Sequence, residues 1–241
     1  MIRIGLDMMG GDYAPLEAVK GVVAFFENRS SETRLVLIGD EPRIREHLNN
    51  CAEVSTSAYE IVHASEVIGM HEHPTKEKKK KTDSSISLGF QLLATGKIDA
   101  FISAGNTGAM MVGALFSIKA IEGILRPTIG AYMPREDGSL GLLVDVGINS
   151  DCKPENLNQF AQLGSLYQQH IMDIPSPRVG LVNIGEEEGK GNLLAQASYP
   201  LLKENQQIQF IGNIEGRDIL LSKADFLLQP ARVRRPQYSG R

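Results

Sequence analysis

Short runs of Val, Ile and Leu alternate along the chain with longer segments in which apolar residues recur at helical spacing. Because strands and helices differ in this spacing, the alternation predicts repeated βαβ units. The predicted strands are 2–6, 34–38, 60–63, 100–103, 128–133, 140–146, 179–184 and 208–211. The predicted helices are 15–27, 41–49, 84–93, 107–120, 154–170 and 193–203.

This rhythm predicts an α/β fold of three layers, a Rossmann-like, mainly parallel sheet with helices on both faces. The strands 128–133 and 140–146 are joined by a short segment containing Pro134 and Gly138, which predicts an antiparallel hairpin at one edge of a mixed sheet. We expect residues 1–226 to form a single domain. Residues 227–241 change abruptly in composition and show no periodic pattern, so we expect an unstructured basic tail.

The composition is that of an ordinary globular protein, with 42% apolar and 22% charged residues. The net charge is −4, and four arginines lie in 231–241, so the preceding 230 residues carry −8. This acidic balance argues against nucleic-acid binding. Cys51 and Cys152 lack metal-ligand spacing, and no segment has the length and apolarity of a signal peptide or spanning helix. We therefore expect a cytoplasmic protein.

Four glycine-bearing loops follow predicted strands, at 7–12, 103–108, 145–149 and 185–192. Because ligands bind where the carboxyl ends of parallel strands meet, these loops predict a crevice. The loop 103–108 suits an anion best, since its glycines permit close approach and a helix begins beside it. The alternative is that Asn106 or Thr107 only caps that helix, and the two roles are compatible.

The loop 185–192 fits neither nucleotide fingerprint. Three glutamates precede Gly189, Gly191 follows Lys190, and Leu194 stands where a third glycine is needed. The loop therefore presents Lys190 to one small anion, or it is a solvated turn. His71 and His73 lack a completing carboxylate cluster, and no nucleophile elbow occurs, so we predict no metal site, no cofactor and no covalent acyl-enzyme.

Several loops together resemble the PlsX family of phosphate acyltransferases. The resemblance runs in a single order from residue 2 to Phe226. Its motifs are Asp-x-Met-Gly-Gly-Asp at 7–12, Ser-Ala-Gly-Asn-Thr-Gly-Ala at 103–109, Leu-x-Asp-Val-Gly at 143–147, Ser-Pro-Arg-Val-Gly-Leu at 176–181, Gly-Lys-Gly-Asn at 189–192 and Gly-Asn-x-Glu-Gly-Arg-Asp at 212–218.

The resemblance implies a fold related to phosphotransacetylases and isocitrate dehydrogenases, and transfer of a fatty acyl group from acyl carrier protein to inorganic phosphate for phospholipid synthesis. It implies Lys190, Asn192 and Asn106 as catalytic residues. Asp7 and Asp145 would shape the crevice and orient donors such as Lys190. The implied phosphate-binding residues are Gly10, Gly11, Ser103, Gly105, Asn106, Thr107 and Gly108.

The resemblance also implies a homodimer, contact with the inner face of the membrane and a downstream glycerol-3-phosphate acyltransferase. After Phe226 the family pattern is lost, which suggests a truncation. Two rival functions stay open: an inactive fragment that binds phosphate or carrier, and a phosphotransacetylase acting on a coenzyme A thioester. The lysine-rich segment 76–81, expected to be a loop, makes Lys78, Lys79 and Lys80 candidates for docking the acidic carrier, although a solvated loop or docking by the tail arginines are alternatives.

Overall fold

The computed structural model of the chain describes residues 1–28, 32–51, 58–149 and 151–230. Its contacts divide the chain into two compact units, Met1–Ile121 and Glu122–Arg241, each with its own sheet. The sequence pattern did not indicate this division, and the single domain over 1–226 stays a prediction. No helix in the described ranges is both long and apolar enough to cross a membrane.

The first unit contains a four-stranded parallel sheet in the order β3-β2-β1-β4. The described residues of this unit also form five helices. In chain order the elements are β1 (Ile2–Asp7), α1 (Leu16–Asn28), β2 (Thr33–Gly39), α2 (Glu41–Cys51), β3 (Tyr59–His63), α3 (Pro74–Lys80), α4 (Ser85–Ala94), β4 (Ala100–Ile102) and α5 (Thr107–Ser117).

The core of this unit lies on both faces of β2. Leu35 and Leu37 pack in one cluster with residues of α1 and α2, whereas Val36 and Ile38 pack in a second cluster with residues of α4. A strand covered on both faces is apolar at successive positions, as residues 35–38 are. The strand is therefore recognisable from the sequence alone.

The second unit contains a five-stranded mixed sheet in the order β5-β6-β9-β7-β8. All neighbouring strands are parallel except the β5–β6 hairpin, which confirms the predicted edge hairpin. The predicted α/β class, with mainly parallel strands and helices packed on the sheets, is likewise confirmed. The elements are β5 (Gly130–Pro134), β6 (Leu140–Val144), α6 (Pro154–Ile171), β7 (Arg178–Asn183), α7 (Leu193–Glu204), β8 (Gln209–Glu215), a 3₁₀ helix (Gly216–Asp218) and β9 (Phe226–Leu228).

The prediction that an unstructured tail begins at residue 227 is wrong for its first residues. Leu227 and Leu228 belong to β9, are buried, and lie between β6 and β7 at the centre of the sheet. Three residues are too few to show a period, and the strand is stabilised by its two neighbours rather than by local propensity. Residues 231–241, including the tail arginines, lie outside the described residues.

One carboxylate fixes the start of β9. Asp225 accepts hydrogen bonds from Arg135 Nη1 at 2.8 Å and from Arg178 Nε at 3.0 Å, and its side chain is only 12% exposed. Burial by itself raises the pKa of Asp225, but the hydrogen bonds from Arg178 and Arg135 outweigh it and lower the pKa to about 2. The hairpin, β7 and β9 are thereby joined through one buried charge.

The prediction of a loop at 76–81 is also wrong, because Pro74–Lys80 forms α3. Pro74 presets the first helical turn, lysine and glutamate favour helices, and Glu77 lies 3.6 Å from Lys80 and 3.9 Å from Lys81. The helix lacks an apolar stripe, which is the signal that sequence periodicity detects. The side chains of Lys78 and Lys79 lie outside the described residues.

Candidate active site

Two predicted loops meet at the carboxyl edge of the first sheet, because β1 and β4 are adjacent and parallel. Ser103 donates from Oγ to Asp7 Oδ2 at 2.6 Å, and the same Oγ accepts from the amide of Gly105 at 2.9 Å. Asp7 Oδ1 accepts from the amide of Met9 at 2.9 Å. The buried Asp7 therefore connects both loops, and its role in shaping a ligand crevice stays a prediction.

Glycine is required at position 10 by the closeness of these loops. A Cβ there would lie 2.6 Å from the amide nitrogen of Gly105 and 2.7 Å from Asp7 Oδ2. Gly11 has a φ of +100°, which favours glycine for a different reason. Both glycines shape the backbone that the sequence assigned to phosphate binding.

Asn106 is the N-cap of α5, which confirms the capping interpretation. Its Oδ1 accepts from the amide of Ala109 at 3.0 Å, and its Nδ2 lies 3.1 to 3.2 Å from three carbonyl oxygens, those of Gly69, Met70 and Glu72. The side chain is buried and its amide is engaged at both ends. Asn106 therefore attaches the turn 69–72 to the start of α5, and its direct catalytic role stays a prediction.

The amino end of α5 has a second neighbour that the sequence did not indicate. A Cβ on Gly108 would lie 2.5 Å from Cγ of Pro74, at the start of α3. The glycine is thus needed for helix packing, whatever it contributes to phosphate. The first amides of a helix have no intrahelical partner and attract anions, and Thr107 beside them is exposed.

Lys190 lies in the second unit, in the loop between β7 and α7. Its side chain is 51% exposed, and Nζ lies 4.0 Å from Glu187 Oε2. Asn183, the last residue of β7, donates from Nδ2 to the carbonyl oxygen of Lys190 at 2.9 Å. Gly191 has a φ of +93°, and a Cβ on it would overlap the amide of Asn183. Asn183 therefore holds the backbone of Lys190 while leaving its ammonium group exposed.

Asn192 is the N-cap of α7. Its Oδ1 accepts from the amide of Ala195 at 2.8 Å, and the residue is exposed. Gln196 donates from Nε2 to the carbonyl oxygen of Gly191 at 3.0 Å. Lys190 thus precedes a capped helix start by two positions, as the sequence predicted.

Each of the three glutamates that precede Lys190 has a lysine partner. Glu186 lies 3.8 Å from Lys223, Glu188 lies 3.2 Å from Lys203, and Glu187 lies 4.0 Å from Lys190. The backbone oxygen of Glu187 also accepts from Asn213 Nδ2 at 2.8 Å. These pairs offset part of the negative charge around the loop, which favours an approaching anion.

Asp145 accepts hydrogen bonds from its own loop. Its Oδ1 accepts from the amides of Gly147 and Ile148 at 3.3 and 3.2 Å, and its Oδ2 accepts from the backbone and side-chain amides of Asn149 at 2.7 and 2.9 Å. Within the described part of this unit, Lys190 pairs with Glu187. The carboxylate of Asp145 is thus engaged by residues 147–149, and its role in orienting Lys190 stays a prediction.

Cys152 follows that loop and is partly buried. Burial, and after it the negative charge of Asp145, raises the pKa of the Cys152 thiol. A higher pKa leaves less of the thiol as thiolate, which makes Cys152 a weaker nucleophile.

The structure brings the predicted residues together in two groups. In the first unit, Asp7, Gly10, Ser103 and Gly105 are in contact and lead directly into the capped start of α5. In the second unit, Lys190 adjoins the capped start of α7. The sequence missed Asn183 and Pro74, since an asparagine at a strand end and a proline before a lysine run carry no distinctive signal.

Similar folds occur among phosphotransacylases. The branched-chain phosphotransacylase from Enterococcus faecalis superposes with a TM-score of 0.64 at 15% identity, covering 96% of this chain and 80% of that one. The EutD phosphotransacetylase from Staphylococcus aureus gives 0.63 at 17% identity, covering 95% and 78%. The chain therefore has the α/β fold of the phosphotransacylases.

Proteins with similar sequences define the class of enzyme more closely than the fold does. Proteins named phosphate acyltransferase from Dictyoglomus turgidum and Aquifex aeolicus are 45% and 43% identical to it, over 94% and 95% of this chain. The chain spans about two thirds of their length, 67% and 66% respectively. The model of the family described as "Fatty acid synthesis protein" matches residues 2–230. The chain belongs to this family of acyltransferases, which confirms the resemblance to PlsX.

Proposed function

We propose that the protein transfers a fatty acyl group from acyl carrier protein to inorganic phosphate. The observation that carries the proposal is the hydrogen-bonded chain from Asp7 through Ser103 to Gly105, which fixes a glycine-rich backbone beside the amino end of α5. Such a backbone binds a phosphate dianion through amides and the helix dipole. The relatives named phosphate acyltransferase support the same reaction.

In the proposed step a phosphate oxygen attacks the carbonyl carbon of the thioester. The carbon–oxygen bond forms, the carbon–sulfur bond breaks, and the carrier thiolate leaves and takes up a proton. Lys190 offsets the negative charge that develops on the carbonyl oxygen. Binding aligns the two reactants, and the reaction itself requires no cofactor.

The direct test supplies the purified protein with acyl carrier protein thioester and phosphate. Acyl phosphate and free carrier thiol are the expected products. A second candidate, transfer from a coenzyme A thioester, is favoured by the phosphotransacylase fold. Competition between the two thioesters decides between them, and thiol release from neither identifies an inactive binding fragment.

The proposal extends to partners that the resemblance implies. We infer a cytoplasmic homodimer that contacts the membrane and passes acyl phosphate to a glycerol-3-phosphate acyltransferase. An acyl phosphate hydrolyses readily, so rapid consumption by a following acyl-transfer enzyme suits its chemistry. Sedimentation of the protein alone and with lipid vesicles measures the first two properties.

Ser103→Ala is expected to raise the KM for phosphate about tenfold, with a smaller effect on the thioester KM. The change removes the hydroxyl that joins Asp7 to the Gly105 amide, and a lost hydrogen bond to a charged group has an effect of this size. Ser117→Ala, at the other end of α5, is the matched control. An effect confined to the thioester contradicts the phosphate assignment.

Charge reversal at Lys78, Lys79 and Lys80 is expected to raise the KM for the carrier at low ionic strength, without changing phosphate binding. Acyl carrier protein is acidic, and steering by exposed charges is screened over about 8 Å at physiological salt. The measurement is the salt dependence of the carrier KM. An unaltered KM at low salt shifts the search to Arg232, Arg234 and Arg235.

A further inference from the structure

The second unit contains a pocket of about 280 Å³ between the β5–β6 hairpin and α6. Its walls include Gly130 and Tyr132 from β5, Leu142 and Val144 from β6, and Leu163 and Tyr167 from α6. Among the described residues that line the pocket, none has a charged side chain. Such a pocket favours an apolar guest.

The pocket exists because a glycine faces the helix from the edge strand. Gly130 is paired with Val144, and Tyr132 is paired with Leu142, so these four residues share the face of the sheet that α6 covers. A Cβ on Gly130 would lie 3.0 Å from Leu142 Cδ1 and would begin to fill the space. The missing side chain therefore leaves the hairpin end of the interface open.

The pocket runs along the strands from the carboxyl end of β6. Gly130 and Val144 lie at that end, and Tyr132 and Leu142 lie two positions away from it. There the hydroxyl groups of Tyr132 and Tyr167 form a hydrogen bond, with the two rings 6.4 Å apart. The tyrosine pair, which is partly exposed, lies at the end of the pocket opposite Val144.

The end of the pocket at Val144 lies at the same sheet edge as the Lys190 loop. The strands β6, β9 and β7 are parallel neighbours, so their carboxyl ends coincide. Lys190 follows β7, which lies two strand spacings from β6, roughly 10 Å. A thioester with its carbonyl at Lys190 thus has an apolar pocket within reach of its hydrocarbon chain.

We propose that this pocket binds the hydrocarbon chain of the acyl substrate, an inference that rests on the acyl transfer proposed above. A saturated chain offers no hydrogen-bonding groups, and its binding free energy comes from removing methylene groups from water. Gly130 then sets how much of the chain is buried. The residue determines chain-length preference without contacting the reacting atoms.

Gly130→Ile tests the proposal by filling the pocket. We expect at least a tenfold rise in the KM for a hexadecanoyl thioester, because two or three buried methylene groups have about that effect, and little change for a butanoyl thioester. Ala131→Ile is the matched control, since Ala131 is paired with Leu143 on the opposite face of the same strands. The phosphate KM stays constant in both variants.

Binding of hexadecanoic acid, measured by calorimetry without turnover, separates this inference from the proposed function. Loss of binding in Gly130→Ile but not in Ala131→Ile supports the pocket even if no thioester reacts. Equal binding in both variants, or a change in oligomeric state alone, overturns it even if turnover is normal. Leu163→Phe fills the pocket from the helix and replaces Gly130→Ile if that variant does not fold.

Discussion

Lys190→Ala is expected to lower turnover by about 10² or more while leaving the thermal unfolding midpoint unchanged. The ammonium group is half exposed and its ion pair with Glu187 is long, so its contribution to the free energy of unfolding is small. A preorganised charge at a developing oxyanion has a far larger effect on the activation free energy. The loop backbone stays in place when the side chain is removed, because it is held by the hydrogen bond from Asn183, by the N-cap at Asn192 and by the conformation of Gly191.

Steady-state kinetics of acyl phosphate formation measure this effect. Lys97→Ala, which removes an exposed lysine of the first unit, is the control and should leave turnover unchanged. Lys190→Arg keeps the charge but alters its geometry, so an intermediate rate is expected. Near-normal turnover of Lys190→Ala excludes the catalytic assignment.

Asp225→Asn is expected to lower the free energy of unfolding by about 3 kcal/mol, because it leaves the buried guanidinium of Arg135 without its counter-charge. The Arg178 side chain loses the same partner. Denaturant unfolding followed by circular dichroism measures the change. Asp99→Asn is the matched control, since Asp99 pairs with Arg3 in similar geometry but on the surface. If both variants lose the same free energy of unfolding, the burial of the Asp225 ion pairs does not account for the loss.

The same carboxylate gives the protein a pH dependence of known sign. The pKa of Asp225 is about 2 in the folded protein, below its ordinary value of 3.8. Its contribution to stability is therefore complete above pH 3.8 and is lost as the pH falls toward 2. Asp225→Asn should flatten the stability profile in that window. A profile parallel to that of the unmodified protein shows that other carboxylates dominate acid unfolding.

The strands whose side chains are buried on both faces could be predicted from the sequence. The run 35–38 is apolar at each position, and the observed β2 extends the prediction by one residue at each end. The helices with an apolar stripe could also be predicted, because their apolar residues recur at helical spacing. In contrast, α3 has no apolar stripe and β9 has only three residues, so neither produces a period that the sequence displays.

Part of the candidate site could likewise be predicted from the sequence, and part of it could not. Glycines and caps at strand ends indicated the loops containing Ser103 and Lys190, because their spacing is local. The contacts of Asn183 with Lys190 and of Pro74 with Gly108 depend on how separate segments pack. The hydrogen bonds from residues 147–149 to Asp145 likewise depend on the path of the backbone, which the residue types do not specify.

The position of β9 has a consequence for the order in which the second sheet is completed during synthesis. The strand occupies the middle of that sheet but comes after the four other described strands of the sheet in the sequence. Until residues 226–228 have left the ribosome, the hairpin and the β7–β8 pair each expose an unpaired strand edge toward the same gap. A nascent chain halted before Phe226 therefore displays two open edges, which are templates for pairing with other chains. Completion of three residues converts two separate ribbons into one continuous sheet.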